Sequence, residues 1–132
     1  MIAKLDAFRP HALSLVRAVS ALTFMAHGTM KILHFPASEK IPEVGSLPWT
    51  AGLFELILGF TLFLGLGTRI SAFVLSGVMA FAYFLVHAPK SFFPVLNGGD
   101  AAILYSFIFL YFVFSGPGSV ALDNVLFKKR SA

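Results

Sequence analysis

Cysteine is absent from this 132-residue chain. That excludes a disulfide framework, thiol redox chemistry, thiolate-held zinc and an iron–sulfur cluster. Charge is scarce. Only 12% of residues are charged, while 58% are hydrophobic and 16 are Phe. A soluble domain is about 25% charged. A chain this poor in charge has no means of covering a water-facing surface, so a soluble enzyme and a soluble domain on a single anchor are both excluded. The chain reads as an integral membrane protein. No Gly-rich nucleotide loop, acyl-transfer triad or haem-attachment motif occurs. The net charge of +4 is spread along the chain and marks membrane orientation, not nucleic acid.

What is present is apolar runs. A span needs about 20 mostly apolar residues. Four stretches are expected to cross: 11–32, 49–66, 70–88 and 101–115, the last one short. Pro36, Pro42, Gly45 and Pro48 interrupt after the first. Gly65, Gly67 and Thr68 make a tight second turn. Pro89, Pro94, Asn97, Gly98 and Gly99 form the third break, and Gly116, Pro117 and Gly118 end the fourth span. The runs do not alternate with period two, so helices are expected and a β-barrel is not. The fold class is all-α, a four-helix transmembrane bundle with short loops in one domain. A short amphipathic helix is expected near 120–127. The first span carries embedded polar residues and no small-x-small site, and is expected to be a true span, not a cleaved signal.

Lys and Arg set the orientation. Lys4, Arg9, Arg17, Arg69, Lys128, Lys129 and Arg130 fall on one side, and Lys31, Lys40 and Lys90 on the other. The richer side is cytoplasmic. Both termini are therefore expected in the cytoplasm of a bacterium, with the protein in its inner membrane.

Ionisable groups inside spans are costly and mark function by default. His27 and Glu55 each lie about 9 Å below the outer end of their spans at 1.5 Å per residue. Lys31, His87 and Asp100 lie nearer the outer surface. Five candidates from four spans thus reach similar depths: His27, Lys31, Glu55, His87 and Asp100. Helical spacing groups Ser20, Thr23, His27 and Lys31 on one stripe, and Gly52, Glu55 and Gly59 on another. It also groups Ser76, Ala80, Tyr83 and His87, and then Asp100, Leu104, Phe107 and Tyr111. All four faces are expected to point inward. A carboxylate as deep as Glu55 needs a partner such as His27, Lys31 or His87.

Blander readings stand beside this one. Lys31 and Arg17 suit snorkelling, Asp100 suits a helix cap, and Trp49 suits an interfacial anchor. The whole set also suits a polar clasp holding four helices together. A metal held by His27, Glu55, His87 and Asp100 is a minor reading, because no ligand-spacing motif supports it. A His–carboxylate pair passing protons to a quinone, or an apolar cavity for another small ligand, suits the composition better.

The segments carry a resemblance. Leu15-Val16-Arg17, Met25-Ala26-His27-Gly28-Thr29-Met30-Lys31-Ile32, Phe54-Glu55-Leu56-Ile57-Leu58-Gly59 and Gly65-Leu66-Gly67-Thr68-Arg69 follow one another in order. Phe84-Leu85-Val86-His87, Asn97-Gly98-Gly99-Asp100-Ala101-Ala102, Ser115-Gly116-Pro117-Gly118 and Leu122-Asp123 complete the series. Together they resemble the DoxX family over nearly the whole chain. Family members commonly carry Glu where this chain has Asp100. The resemblance implies a four-helix membrane protein. The family is named for its association with a thiosulfate:quinone oxidoreductase, and some relatives are linked to redox or detoxification complexes. Others act as assembly factors. Two functional expectations follow. One is an accessory subunit of a membrane oxidoreductase that binds a quinone or small apolar ligand. The other is a non-catalytic membrane chaperone or complex-stabilising subunit, as a monomer or a homo-oligomer.

Overall fold

The computed structural model describes residues 1–128. Lys129 and Arg130, two of the cations in the orientation argument, lie outside them. Every element in the described residues is helical. A short α1 (Ile2–Ala7) leads into α2 (Arg9–Leu33). Next come α3 (Leu47–Leu64) and α4 (Thr68–Ala82), which continues as a π-helical turn over Tyr83–His87 and a 3₁₀ turn over Ala88–Lys90. A single turn, α5 (Pro94–Asn97), precedes α6 (Asp100–Ser115), and α7 (Leu122–Leu126) follows.

Local chemistry sets these ends. Ser46 caps α3, its hydroxyl accepting the Trp49 N–H at 3.3 Å, and Pro48 sits in the first turn, where its missing N–H costs nothing. Gly65 closes α3 at φ +71°, in the left-handed region that glycine enters freely. Residues 34–46 connect α2 to α3 without a helix of their own.

The four long helices pack as two hairpins. α2 lies along α3, α4 lies along α6, α3 also touches α4, and α2 meets α6 sparingly. Glycine decides the first pairing. A Cβ on Gly28 would sit 2.5 Å from the Leu56 nitrogen, so the α2 and α3 backbones touch only because Gly28 has no side chain. Hydroxyls hold the second pairing. Ser76 Oγ donates to the Ser106 carbonyl at 2.8 Å, and Ser106 Oγ donates back to the Ser76 carbonyl at 2.9 Å. The core between hairpins is Ala21 and Phe24, Leu62, Ala72, Leu75 and Met79, and Ala102, Phe109 and Phe112. Phe73, Phe81, Phe107 and Phe114 are each at least 65% exposed. In water that surface would be prohibitive, and in lipid it is the natural exterior.

At the end carrying both termini, the chain after α6 is stitched to the bundle. The Arg17 side chain, 3% exposed, donates to the carbonyls of Pro117, Val120 (2.9 Å) and Phe63 (3.4 Å). The sequence suits snorkelling at Arg17, but the structure turns it inward. The carbonyls freed where α3 and α6 end need donors, and a guanidinium carries five in a fixed fork. Asp123 completes the stitch. Gly67 offers no side chain to cap α4, so the Asp123 carboxylate accepts the Gly67 and Thr68 N–H groups at 2.7 and 2.9 Å. Burial pushes the Asp123 carboxyl up, but the Thr68 and Gly67 N–H groups, helped by the nearby Arg17 charge, outweigh it and hold it below the ordinary carboxylate range. A depressed pKa contributes stability above the unfolded value of about 4, and that contribution is lost as pH falls through the folded value. Protection of the Gly67 and Thr68 amides, taken relative to the intrinsic exchange rate at each pH, should therefore be high at neutral pH and fall as pH drops below about 4. Asp123→Asn should speed exchange at neutral pH and flatten that dependence. Equal protection in wild type and Asp123→Asn at neutral pH would show that the carboxylate does not hold the tail.

Candidate functional site

The Gly52, Glu55 and Gly59 face of α3 packs on α2, as its spacing predicts. Glu55 is 2% exposed. Its two carboxylate oxygens each accept from Lys31 Nζ at 2.9 Å. Lys31 leaves α2 two residues before its end, and its stem turns back over Gly52. A Cβ at Gly52 would lie 2.9 Å from the Lys31 Cβ and 3.1 Å from its Cδ. Gly52 is thus the slot through which the ammonium reaches down to the carboxylate. Met25 fills the corresponding space beside Gly59.

The pair borders a cavity of about 340 Å³ between α3 and α4, at the end of that hairpin farthest from its turn. Pro48, Ala51 and Phe54 wall it from α3, and Val78, Phe81 and Ala82 from α4, with Leu85 and Val86 from the π turn. Lys31 and Glu55 are its charged groups. The Lys31 side chain remains 21% exposed, against 3% for Glu55. An ammonium has three N–H donors, and the two carboxylate oxygens engage only part of that capacity. The arrangement is a neutral ion pair with a donor at the edge of an apolar chamber.

The other candidates lie elsewhere. The buried face of α2 is Ser14, Arg17, Ala21, Phe24 and Gly28. The stripe of Ser20, Thr23 and His27 therefore sits on its flank, and His27 is exposed. His27 Nδ1 is 3.2 Å from the Phe24 carbonyl of its own helix, and its ring stands edge-on to Tyr105. The Tyr105 hydroxyl donates to Thr23 Oγ1 at 3.0 Å. Gly28 is the reason for this rotation, because the close α3 contact turns position 28, not 27, toward the neighbour. His87 Nδ1 is 3.1 Å from the Asn97 carbonyl. Asn97 is 2% exposed and donates to the Tyr83 hydroxyl and the Ser91 carbonyl, while its own oxygen accepts the Gly99 N–H at 2.8 Å. His87 thus belongs to a network that folds the α4–α6 connection.

Asp100 opens α6, exposed, with Gly99 rather than Asp100 as the cap residue. Its face of Leu104, Phe107 and Tyr111 points out to lipid, at 62%, 67% and 61% exposure, not inward as the spacing suggested. The serine exchange with α4 turns Ala102, Phe109 and Phe112 inward instead. Among the described residues, no group of three or more His, Cys, Asp and Glu side chains is gathered where a metal ion would bind. His27, Glu55, His87 and Asp100 do not converge. Reading the sequence alone overlooked the walls Phe54 and Phe81 and the slot at Gly52. The buried role of Asn97 was hidden behind its turn signal. The opposite charges of Arg17 and Asp123 were the one available hint of the stitch.

Comparison with known proteins identifies a family. The sequence profile of the DoxX family matches residues 12–88, which include Arg17, Lys31 and Glu55. The chain is 48% identical over 131 residues to an uncharacterized protein of Haemophilus influenzae, covering 95% of this chain and 98% of the other. A second uncharacterized protein of that organism is 31% identical over 74 residues, 56% of this chain and 49% of its own length. No solved structure matches. The helical architecture, the lipid-compatible exterior and a family profile that covers more than half of the sequence lead to one assignment: the chain belongs to the DoxX family of integral membrane proteins.

Proposed function

We propose that this protein is an accessory subunit of a membrane redox assembly and holds a neutral, quinone-type amphiphile in the α3–α4 cavity. The observation that carries this reading is the Lys31–Glu55 pair at the wall of an apolar chamber of about 340 Å³. Small-molecule sites are chambers of about this size, mostly apolar, with few polar groups. A carbonyl head accepts from the Lys31 ammonium without displacing Glu55, whereas a charged head would have to break the pair. A prenyl tail leaves past Phe54 and Phe81 into lipid. The His–carboxylate pairing suggested by the sequence makes His27 a donor to such a head, but His27 does not line the cavity, and Lys31 takes that role in this proposal.

Trp49, the single tryptophan, lies between the lining residues Pro48 and Thr50. A short-tailed benzoquinone added to purified protein should quench its fluorescence saturably. Lys31→Met should weaken the quenching at least tenfold in protein that is still folded. Quenching that never saturates, or that is equal in the variant, would defeat the proposal.

A second reading has its own support. Both Glu55 oxygens are already engaged by Lys31, which suits a clasp in a non-catalytic, complex-stabilising subunit. The orientation belongs to the proposal as well: termini in the cytoplasm, and the cavity in the outer leaflet of a bacterial inner membrane. The Lys and Arg asymmetry supports it. A reporter active only in the periplasm should stay silent when fused after Ala132, and activity there would reverse the orientation.

A further inference from the structure

A second, open groove, unconnected with the proposed quinone site, lies at the opposite end of the bundle. It occupies about 680 Å³ in the seam between the start of α2 and the end of α6. This is the loosest seam of the four-helix arrangement. Deeper along it, Phe24 closes the gap against Phe109, with ring centroids 4.9 Å apart, and Tyr105 bonds Thr23. Toward the termini no ring pair closes it; the tail crosses there, Ser119 N–H donating to the Pro10 carbonyl at 3.1 Å and Val120 N–H to Ser14 Oγ at 2.9 Å, and the space lies beside that crossing.

The lining changes character along the bundle axis. Leu13 and Val16 form the wall toward the bilayer centre. Arg9, Ser115, Ser119 and Asn124 lie at the end, and Tyr111, one helical turn inside Ser115, sits between them. The surroundings place that end at headgroup depth. α1 exposes Ile2 and Leu5, with Phe8 after it, and α7 exposes Val125 and Leu126, followed by Phe127. Lys4 and Lys128 flank these apolar residues. Exposed apolar residues next to cations describe segments lying in the membrane interface. Arg9 has Asp6 as its ion-pair partner, but the two are 78% and 53% exposed, and such a pair is weak and exchangeable.

From this juxtaposition we infer that the α2–α6 seam seats one anionic glycerophospholipid. Its phosphate meets Arg9, its glycerol region meets Tyr111 and the serines, and one acyl chain lies against Leu13 and Val16. A guanidinium forms paired hydrogen bonds with a phosphate, and a neighbouring anionic headgroup gains further from the local positive charge.

The test is native mass spectrometry of the full chain, released from mild detergent after equilibration with equal amounts of phosphatidylglycerol and phosphatidylcholine. Wild type should retain one phosphatidylglycerol with about fivefold preference, the equivalent of one basic contact at the interface. Arg9→Gln, at an exposed site, should remove the preference. Tyr111→Phe should reduce retention of both lipids, and Lys90→Gln should change nothing. Equal retention of the two lipids by wild type would overturn the inference, as would preference surviving in Arg9→Gln. Displacement of the lipid by millimolar inorganic phosphate would also overturn it, because it would show a free-phosphate site. A bound protein in place of lipid would have the same consequence.

Discussion

Arg17→Met should lose roughly 3 kcal/mol of stability, measured by unfolding in mixed micelles with increasing dodecyl sulfate. Hydrogen bonds to a charged group are worth about 1.5–3 kcal/mol each, and stranding a buried acceptor costs about 1–3 kcal/mol. The guanidinium serves three carbonyls at once, on Pro117, Val120 and Phe63. Methionine keeps the length and much of the volume, so packing is largely preserved and the lost bonds dominate. Lysine should fall between the two, because its ammonium has three donors and no fork. The defect should be local first, with protease cutting within 117–127 well before the helices unfold. Gly65 sharpens this expectation. A Cβ there would lie 2.5 Å from Ala121 Cβ, so the tail sits directly on the α3–α4 turn and has no second way to dock. If Arg17 only snorkelled to the surface, Met would be neutral to within about 0.5 kcal/mol, the usual range for surface changes. That result would dissolve the stitch as an energetic unit.

The second large effect is at the Lys31–Glu55 pair. Glu55→Leu should cost about 3–5 kcal/mol, the range for removing one partner of a buried ion pair. The Lys31 stem is held over Gly52, which keeps the ammonium beside the position Glu55 vacates even though the side chain is 21% exposed. Glu55→Gln should cost less, since the amide oxygen still accepts from Nζ. The informative variant is the double substitution of Lys31→Met with Glu55→Leu. Apolar replacement of a complete buried pair is often close to neutral, so the double variant should be more stable than Glu55→Leu alone. Losses that simply add would show that the two groups are not coupled. The same protein separates the two functional readings. A folded double variant that no longer quenches Trp49 with quinone supports a ligand site. One that keeps quinone binding, or one whose sole defect is a lost protein partner, points to the clasp.

These expectations rest unevenly on sequence and structure. Composition alone established the bilayer as solvent, because 12% charge leaves too little polarity for a water-facing surface. The turn glycines at 65, 67, 98 and 116 were legible one by one, since each left-handed residue is a local requirement. The Gly52, Glu55 and Gly59 face was legible too, because residues on one helix repeat every 3.6 positions whatever lies beside them. Depth followed from 1.5 Å per residue, and on that reckoning alone His27, Lys31, Glu55, His87 and Asp100 formed one expected group. Depth carries no information about azimuth. Which way a helix turns depends on its neighbour, and the neighbours here were chosen by Gly28 touching α3 and by Ser76 exchanging bonds with Ser106. Those two contacts rotated His27 and Asp100 outward and left Lys31 alone with Glu55. Arg17 was hidden for a further reason. Its partners are backbone carbonyls as far as 103 positions away, and every residue carries a carbonyl, so no side-chain pattern announces them. Only the docking of the tail decided which ones it would meet.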